Sequence, residues 1–452
     1  MNIKKTINSR DLVLISILIF LSRIFSYFFL EIKPLDTIDH YMQIFPLDYL
    51  HQDLLKTLIN GHSQPFGYNL FVGVILKIFN GNELNSIFFI HQINIFLTII
   101  ICVLSLRISK LIFKISDLEK GFLILILTLN PFFIFWENYM LYAHLSCFLH
   151  FLLFYNLLLY FKNRKLISFV NIFLILTLLT FIHALYHPLL LIFIFPVLQF
   201  INKRISKKEF ISFVFFLILS LAPLIKNYYL FNTFSNSSWL GFNWYATVHA
   251  IDHKYRDICD FSDVTDEDVD IILEKIKFQN NNLYKKEFLL GSKSDFNNIG
   301  YISKSKICTR ETFDFIINNP KEWISNRIFY FLMSTGKFSI DYSADTLRGW
   351  RENFNILETI ENNRKFKRLR QFSLIVTKII FFIFLIKIFF NLNKNCFYKN
   401  SLLIYLCIVM YVLSISHFFN AWEQERFMYS FWVLNIIFFN YILIMIKKII
   451  NK

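Results

Sequence analysis

Long apolar runs separated by short polar stretches constrain this chain more than any other feature. Several runs reach about 20 residues, the length at which an α-helix crosses the hydrocarbon core of a bilayer. Charged residues make up 17% of the 452 residues, against about 25% in soluble domains. Because lipid offers no partner for backbone N–H and C=O groups, the crossing segments have to be helical. We therefore expect an all-α polytopic membrane protein.

The basic residues between the apolar runs predict how the chain is threaded through the membrane. Lys4, Lys5 and Arg10 precede the first run and place the N-terminus inside, because cytoplasmic loops are enriched in Lys and Arg. Ten crossings are then expected, with both chain ends cytoplasmic. The predicted crossings are residues 12–30, 86–106, 121–135, 143–161, 166–184, 188–201, 210–230, 371–391, 401–418 and 427–446.

These crossings divide the chain into three parts. Residues 1–230 are expected to form an N-terminal transmembrane module whose first external loop is residues 31–85. Residues 231–370 lose the apolar pattern, and we expect an external segment that is mostly helical. Residues 371–452 return to transmembrane helices.

Two shorter apolar segments are interpreted as helices that lie along the membrane surface. Residues 66–79 follow Pro65 and are short for a crossing, and proline is well tolerated at the start of a helix. Residues 324–340 are aromatic but contain Arg327 and Lys337, which favours a surface helix there too.

Charge and cysteine patterns limit the possible partners. The net charge of +15 is spread as short clusters between apolar runs rather than as a basic stripe, so no nucleic-acid partner is expected. Cys259 and Cys308 both fall in the long polar segment, and a disulfide between them is expected if that segment lies outside the cytoplasm. No cysteine pair has the spacing of a metal site, and neither a metal nor a cofactor is assigned.

The first external loop holds most of the candidate chemistry. Asp36 and Asp39 follow the first crossing directly, and carboxylates placed beside lipid are costly, which favours a functional role. Further along the loop, His62 and Gln64 lie just before Pro65 in the run His62-Ser63-Gln64-Pro65-Phe66-Gly67-Tyr68-Asn69.

This arrangement resembles the GT-C fold glycosyltransferases, in particular the bacterial relatives of the protein O-mannosyltransferases and aminoarabinose transferases. Those enzymes carry one or two acids in the first external loop, followed by surface helices with an H-x-x-P-P or Q-P-P motif. Here Phe66 replaces the second proline, and Asp39-His40 replaces the usual Asp-Glu pair. Whether Asp36 or Asp39 corresponds to the family's acid is left open.

Three further segments extend the resemblance through most of residues 10–250 and again near residue 420. Asn130-Pro131 followed by Trp136-Glu137-Asn138 is similar to the family's third span, which ends in a second external acid. Ala222-Pro223-Leu224-Ile225-Lys226-Asn227-Tyr228 resembles a P-W-x-x-R-N-Y segment, and Glu425-Arg426-Phe427 resembles the R-Y/F segment at the last external turn.

The resemblance implies transfer of a sugar from a polyprenyl-phosphate donor to a lipid, glycan or protein acceptor at the outer face of a bacterial cytoplasmic membrane. Asp39 is expected to act as the general base, with Asp36 and Glu137 as helpers. Lys226 and Arg426 are expected to hold the lipid phosphate. His62 and Gln64 are expected either to contact the sugar or to shape the surface helix.

Other classes of membrane protein remain as alternatives. A secondary transporter places charged residues and broken helices near the middle of the bilayer and often has inverted repeats. The predicted crossings carry few charges and no internal repeat is evident, which favours the transferase. A polymerase or ligase of lipid-linked glycans, or a non-catalytic scaffold, also fits the composition.

Overall fold

The computed structural model of the protein describes most of the chain, and the described part is helical. No strand occurs among the described residues, which confirms the all-α fold class predicted from the apolar runs. The described residues are 9–29, 34, 38, 44–113, 115–139, 141–249, 265–276, 297–334, 397–419 and 430–439.

Sixteen helices with defined bounds lie within these ranges, and residues 432–439 are also helical. The helices are α1 (Ser9–Phe29), α2 (Leu47–Gln52), α3 (Leu54–Asn60), α4 (Phe66–Ile78), α5 (Glu83–Phe113), α6 (Asp117–Thr128), α7 (Pro131–Asn138), α8 (Ala143–Asn163), α9 (Leu166–Ile182), α10 (Leu189–Asn202), α11 (Lys207–Phe231), α12 (Leu240–His249), α13 (Asp266–Ile276), α14 (Gly300–Asn318), α15 (Pro320–Ser334) and α16 (Phe397–Phe419).

Five helices of the described part are long and apolar enough to cross a membrane: α1, α5, α8, α11 and most of α16. They correspond to the predicted crossings 12–30, 86–106, 143–161, 210–230 and 401–418. Phe20 and Phe28 of α1 are 65% and 70% exposed, as expected of side chains that face lipid. The length and the apolar composition of these five helices therefore identify the chain as a helical membrane protein.

The remaining predicted crossings are not confirmed. Helices α9 and α10 are apolar but have 17 and 14 residues, against the about 20 that a crossing usually needs. The predicted crossing 371–391 lies outside the described residues, and so does much of 427–446.

The predicted third crossing, residues 121–135, is wrong as a single segment. The chain forms α6 and α7 there, helices of 12 and 8 residues separated by a break before Pro131. Proline has no backbone N–H and its ring clashes with the preceding turn, so α6 ends and a new helix begins at the proline. As a consequence, Glu137 lies in the last turn of a helix and not in an exposed loop.

Two hydrogen bonds fix residues near the beginning of the first loop to α4 and to the start of α5. The backbone N–H of Ile38 donates to Glu83 Oε1 at 2.5 Å, where α5 begins, and the Ile38 side chain is fully buried. The backbone N–H of Phe45 donates to Asn69 Oδ1 of α4 at 2.7 Å. Helices α2 and α3 pack on α4, and α4 packs on α5 and α9. The helix predicted over residues 66–79 is therefore present as α4, with Pro65 at its N-cap.

The polar segment that follows α11 forms a small helical unit. Helix α14 packs against α12 and α13, around a core that includes Phe242, Tyr301 and Cys308. Cys308 is disulfide-bonded. Its predicted partner, Cys259, lies outside the described residues. Helices α12 and α15 also contact α16, so this unit is attached directly to a candidate membrane span.

The close contact between α12 and α14 depends on a glycine. A Cβ atom at Gly241 would lie 1.9 Å from the backbone O of Ser305, whereas a Cβ at Gly121 of α6 would meet no atom within 4 Å. We expect Gly241→Ala to lower the melting temperature of the detergent-solubilised protein, because overpacking destabilises by about 1–3 kcal/mol.

Gly121→Ala is the matched control. Alanine favours a helix over glycine by up to about 1 kcal/mol, so this variant should melt at or slightly above the wild-type temperature. Equal melting temperatures for Gly241→Ala and wild type would show that α12 and α14 are not in such close contact.

Candidate functional site

A buried ion pair joins α1 to α7 inside the helical bundle. Arg23 is 8% exposed and Glu137 is fully buried. Arg23 Nε donates to Glu137 Oε2 at 2.7 Å, and Arg23 Nη2 donates to Glu137 Oε1. Two parallel hydrogen bonds of this kind make one of the strongest pairings between guanidinium and carboxylate groups. Each charge therefore neutralises the other where water is excluded.

Neighbouring groups supply the other hydrogen bonds that the two charges need. Arg23 Nη1 donates to the backbone O of Thr128 at 2.5 Å, at the end of α6, and to Ser22 Oγ at 2.8 Å. Thr98 of α5 donates its hydroxyl proton to Glu137 Oε1. A buried ion pair is tolerated only when such additional bonds satisfy its remaining atoms.

His144 extends this network to α8. Its Nε2 lies 3.0 Å from the backbone O of Asn94 and 3.1 Å from Thr98 Oγ1. A carbonyl oxygen only accepts, so Nε2 carries the proton, and the Thr98 hydroxyl can donate to Glu137. Asn94 Nδ2 also donates to the backbone O of Glu137 at 3.0 Å. We call Arg23, Glu137, Thr98, Asn94 and His144 the charged network.

The charged network corrects one sequence prediction and contains one residue that was missed. Glu137 was predicted as an external acid after the third span, but it lies in α7, is buried, and both its carboxylate oxygens accept hydrogen bonds. Arg23 was not predicted at all. The available signal was a single charge inside the first apolar run, because a charge within a membrane span usually has a partner in the bundle.

A second polar cluster joins the first loop to the unit that follows α11. His62 is 1% exposed, with Nδ1 2.9 Å from Ser238 Oγ and Nε2 2.8 Å from the backbone O of Asn297. Nε2 therefore carries the proton, and Nδ1 accepts from the Ser238 hydroxyl. The Ser238 backbone N–H donates to the His62 carbonyl at 3.0 Å, and Ser237 Oγ donates to the Ser63 carbonyl. We call these five residues the junction.

Lys226 of α11 supports the junction through the first loop. Its Nζ donates to the backbone O of Gly61 and, at 3.4 Å, to that of Leu58. These carbonyls lie at the end of α3, where helical carbonyls have no partner within the helix. Lys226 was predicted to hold a lipid phosphate, whereas the structure places its amine on the loop backbone.

Aromatic rings close in sequence to the junction and to the charged network pack against one another. Tyr68 lies in the first turn of α4, a few residues after His62, and its ring packs edge-on against Tyr142 at 6.3 Å between ring centres. Tyr142 directly precedes α8 and also packs against His183 at 4.5 Å. The segments that carry His62 and His144 are thus joined by the ring contact between Tyr68 and Tyr142.

The seven residues predicted for the site are only partly covered by the structure. His62 and Lys226 act in the same cluster, Glu137 belongs to the charged network, and Gln64 is half-buried next to the junction. Asp36, Asp39 and Arg426 lie outside the described residues.

An acidic stretch in α13 has a D-x-D spacing but a structural role. Asp268 Oδ2 accepts from the backbone N–H of Thr265 at 3.0 Å and from its hydroxyl at 2.9 Å. The Asp268 N–H donates to Thr265 Oγ1 at 3.2 Å, which completes a capping box at the start of α13. Within the part of the chain that the structure describes, no three His, Cys, Asp or Glu residues are grouped to hold a metal ion.

Comparisons of the chain with family models, with curated proteins and with solved structures find no match.

The charged network predicts that breaking the ion pair lowers the free energy of unfolding much more than replacing both of its members. Arg23→Met should lower the free energy of unfolding by about 3–5 kcal/mol, because it leaves Glu137 buried without its counter-charge. Arg23→Met/Glu137→Met should recover a large part of that loss. Denaturant unfolding in detergent micelles measures both values.

Arg10→Met is the matched control for this prediction. Arg10 is exposed near the start of α1, so the same change there should alter the free energy of unfolding by less than about 1 kcal/mol. A double variant less stable than Arg23→Met would contradict the pairing.

The junction predicts an acid-dependent loss of stability. Burial lowers the pKa of His62 to about 3; the hydrogen bond to Asn297 opposes this shift, and the charge on Lys226 adds to it. In the unfolded chain a histidine has a pKa near 6.5. Between pH 6.5 and 3 the unfolded chain therefore binds more protons than the folded protein. As the pH is lowered through this range, the free energy of unfolding should decrease by up to about 1.4 kcal/mol per pH unit.

His62→Asn removes this titration while keeping a neutral hydrogen-bonding side chain. The melting temperature of the wild type should fall more steeply between pH 7 and pH 4.5 than that of the variant. Other titrating groups are common to both proteins and cancel in the difference. Parallel curves would mean that His62 is not buried in its neutral form.

Proposed function

We propose that the chain is an integral membrane glycosyltransferase of the GT-C type, with about ten crossings. It would move a sugar from a polyprenyl-phosphate donor to a lipid, glycan or protein acceptor. The observation that carries the proposal is the anchoring of Ile38 and Phe45, which lie on either side of Asp39 in the sequence. Neither a cofactor nor a metal ion has a part in it.

Two residues near both acids in the sequence are fixed on the protein. Ile38, which lies between Asp36 and Asp39 in the sequence, is buried and hydrogen-bonded to Glu83. Phe45 is bonded to Asn69 a few residues later. Restraining a catalytic group near its productive position supplies much of the rate gain of an enzyme, because less entropy is lost when substrate binds. A solvated linker would not need such contacts.

The disulfide at Cys308 supports a reaction on the non-cytoplasmic side of the membrane. Cys308 is disulfide-bonded, and disulfides persist in oxidising compartments outside the cytoplasm. The unit that contains Cys308 binds the first loop through the junction, so both are on the same side. A bacterial cytoplasmic membrane, with the reaction at its outer face, fits this arrangement.

The proposed chemistry follows from the residue types. An acceptor hydroxyl attacks the anomeric carbon, the bond from that carbon to the phosphate oxygen breaks, and the lipid phosphate leaves. Asp39 takes the hydroxyl proton, and Asp36 stabilises the positive charge that develops on the sugar. Arg426 neutralises the departing phosphate, and Gln64 contacts the sugar.

The structure leads us to assign supporting roles to Lys226, first predicted to hold the lipid phosphate, and to Glu137, first predicted to assist the general base. Lys226 holds the end of α3, and through it the first loop, by donating to the carbonyls of Gly61 and Leu58. Glu137 holds α1, α5 and α7 together through Arg23 and Thr98.

A secondary transporter is the second candidate, and the charged network favours it. Arg23 and Glu137 lie inside the bundle with His144 nearby, and ionisable groups within membrane spans often mark proton or solute paths. Uptake of a labelled solute by proteoliposomes that contain no lipid-linked sugar would favour the transporter. Transfer of sugar without uptake would favour the enzyme.

The general-base assignment predicts a specific loss of activity. Asp39→Asn keeps the shape of the side chain but removes the proton acceptor, so the transfer rate should fall by about 10²–10⁴-fold with an unchanged melting temperature. The donor for the assay is the lipid-linked sugar that accumulates in a strain lacking the protein.

Asp48→Asn is the matched control, since Asp48 is an exposed acid of the same loop, on α2. It should keep the wild-type rate. An unchanged rate for Asp39→Asn would exclude Asp39 as the base, and a loss seen only with Asp36→Asn would assign the role to Asp36.

A further inference from the structure

An exposed apolar surface lies where α14 turns into α15. Four large side chains contribute to it, two from each helix, on either side of the turn at Asn319. We call this the elbow surface. It consists of Phe313, Ile317, Ile324 and Ile328, which are 53%, 59%, 47% and 53% exposed.

The two elbow-surface residues on α14 belong to one face of that helix. Lys306, Arg310, Phe313 and Ile317 follow one another at spacings of four, three and four residues, which places them on the same side of the helix. The opposite side of α14 is buried and includes Cys308, Thr312 and Phe315. The exposed apolar face is therefore distinct from the face that packs into the protein.

This face begins next to the end of a candidate membrane span. Lys306 Nζ donates to the backbone O of Asn232 at 3.1 Å, and Asn232 is the C-cap of α11. Near that end of α11, Tyr228 and Tyr229 are 59% and 84% exposed, as is typical of aromatic residues at a membrane interface. The exposed face of α14 thus begins, at Lys306, beside the end of α11.

The charges beside the elbow surface also fit a membrane interface. Arg310 follows Lys306 on the same face, and its Nη2 lies 3.3 Å from Glu311 Oε1. Lys321 is exposed next to the turn. Helices that lie in an interface combine an apolar face with basic residues whose long side chains reach the headgroups. Helix α15 contacts α16, so both helices of the elbow are attached to candidate spans.

We infer that the elbow surface rests in the lipid headgroup and acyl boundary of the leaflet at which α11 ends. The occupant of the surface is the bilayer itself, and the contact holds the helical unit against the membrane beside the first loop. This inference concerns membrane contact alone and does not depend on which reaction the protein catalyses or whether it catalyses one.

Site-directed spin labelling of the full chain in lipid nanodiscs tests the inference. A ketone-bearing amino acid at one position at a time, coupled to a nitroxide, avoids the native cysteines. Labels at 313, 317, 324 and 328 should collide often with oxygen, which partitions into lipid, and rarely with a water-soluble nickel chelate. The depth parameter from these two rates should be positive, corresponding to about 5–10 Å of insertion.

Two exposed positions of the same helices are matched controls. Labels at Asn318 and Glu322, which lie on other faces of α14 and α15, should collide mainly with the nickel chelate. A label at Tyr229 provides the lipid reference.

Two outcomes would overturn the inference. Frequent nickel collisions at all four positions would mean that the elbow surface is in water. Few collisions with either reagent would mean that protein covers it, either another part of this chain or a second copy, and a dilution series of the nanodiscs would separate those two. Size-exclusion profiles confirm that each labelled protein is folded.

Discussion

The ion pair between Arg23 and Glu137 determines much of the arrangement of the bundle. Either charge alone in a dry interior would cost several kcal/mol, and the pair is tolerated because Thr98, Ser22 and the Thr128 carbonyl complete its hydrogen bonds. The ion pair and these partners together come from α1, α5, α6 and α7. The helices therefore cannot slide or rotate independently without exposing a charge to an apolar environment, which restricts the bundle to a narrow range of packings.

The charged network and the junction each hold separate segments of the chain together. Tyr68, which follows His62 in the sequence, packs against Tyr142, which precedes His144, and Tyr142 packs against His183. The junction ties the first loop to a disulfide-bearing unit, and Glu83 ties the same loop to α5. Ile38 and Phe45, which lie on either side of Asp39 in the sequence, are held by side chains of α5 and α4. This is why the transferase is preferred over the transporter, although the transporter would make more direct use of the buried charges.

Much of the architecture could be predicted from the sequence, because apolar runs report directly on contact with lipid. The bounds of α1, α8 and α11 lie within a few residues of the predicted crossings. The start of a new helix, α7, at Pro131 was not predicted, since the apolar run continues through Pro131 and only the proline marks the change. The partnership of Arg23 with Glu137 joins residues 114 positions apart, and no local pattern reports such a contact. His62 was recognised as important, but its role in joining two segments depends on tertiary structure.

The length of α5 has a consequence for the lipid environment. With 31 residues, the helix is about 46 Å long, whereas the hydrocarbon core is about 30 Å thick. The excess must be taken up by tilting or by a projecting end, and the balance between the two shifts with acyl chain length. Because the first turn of α5 holds Ile38 through Glu83, a change in the tilt of α5 would also act on the position of Ile38. Bilayer thickness is thereby connected to the contact between Ile38 and α5.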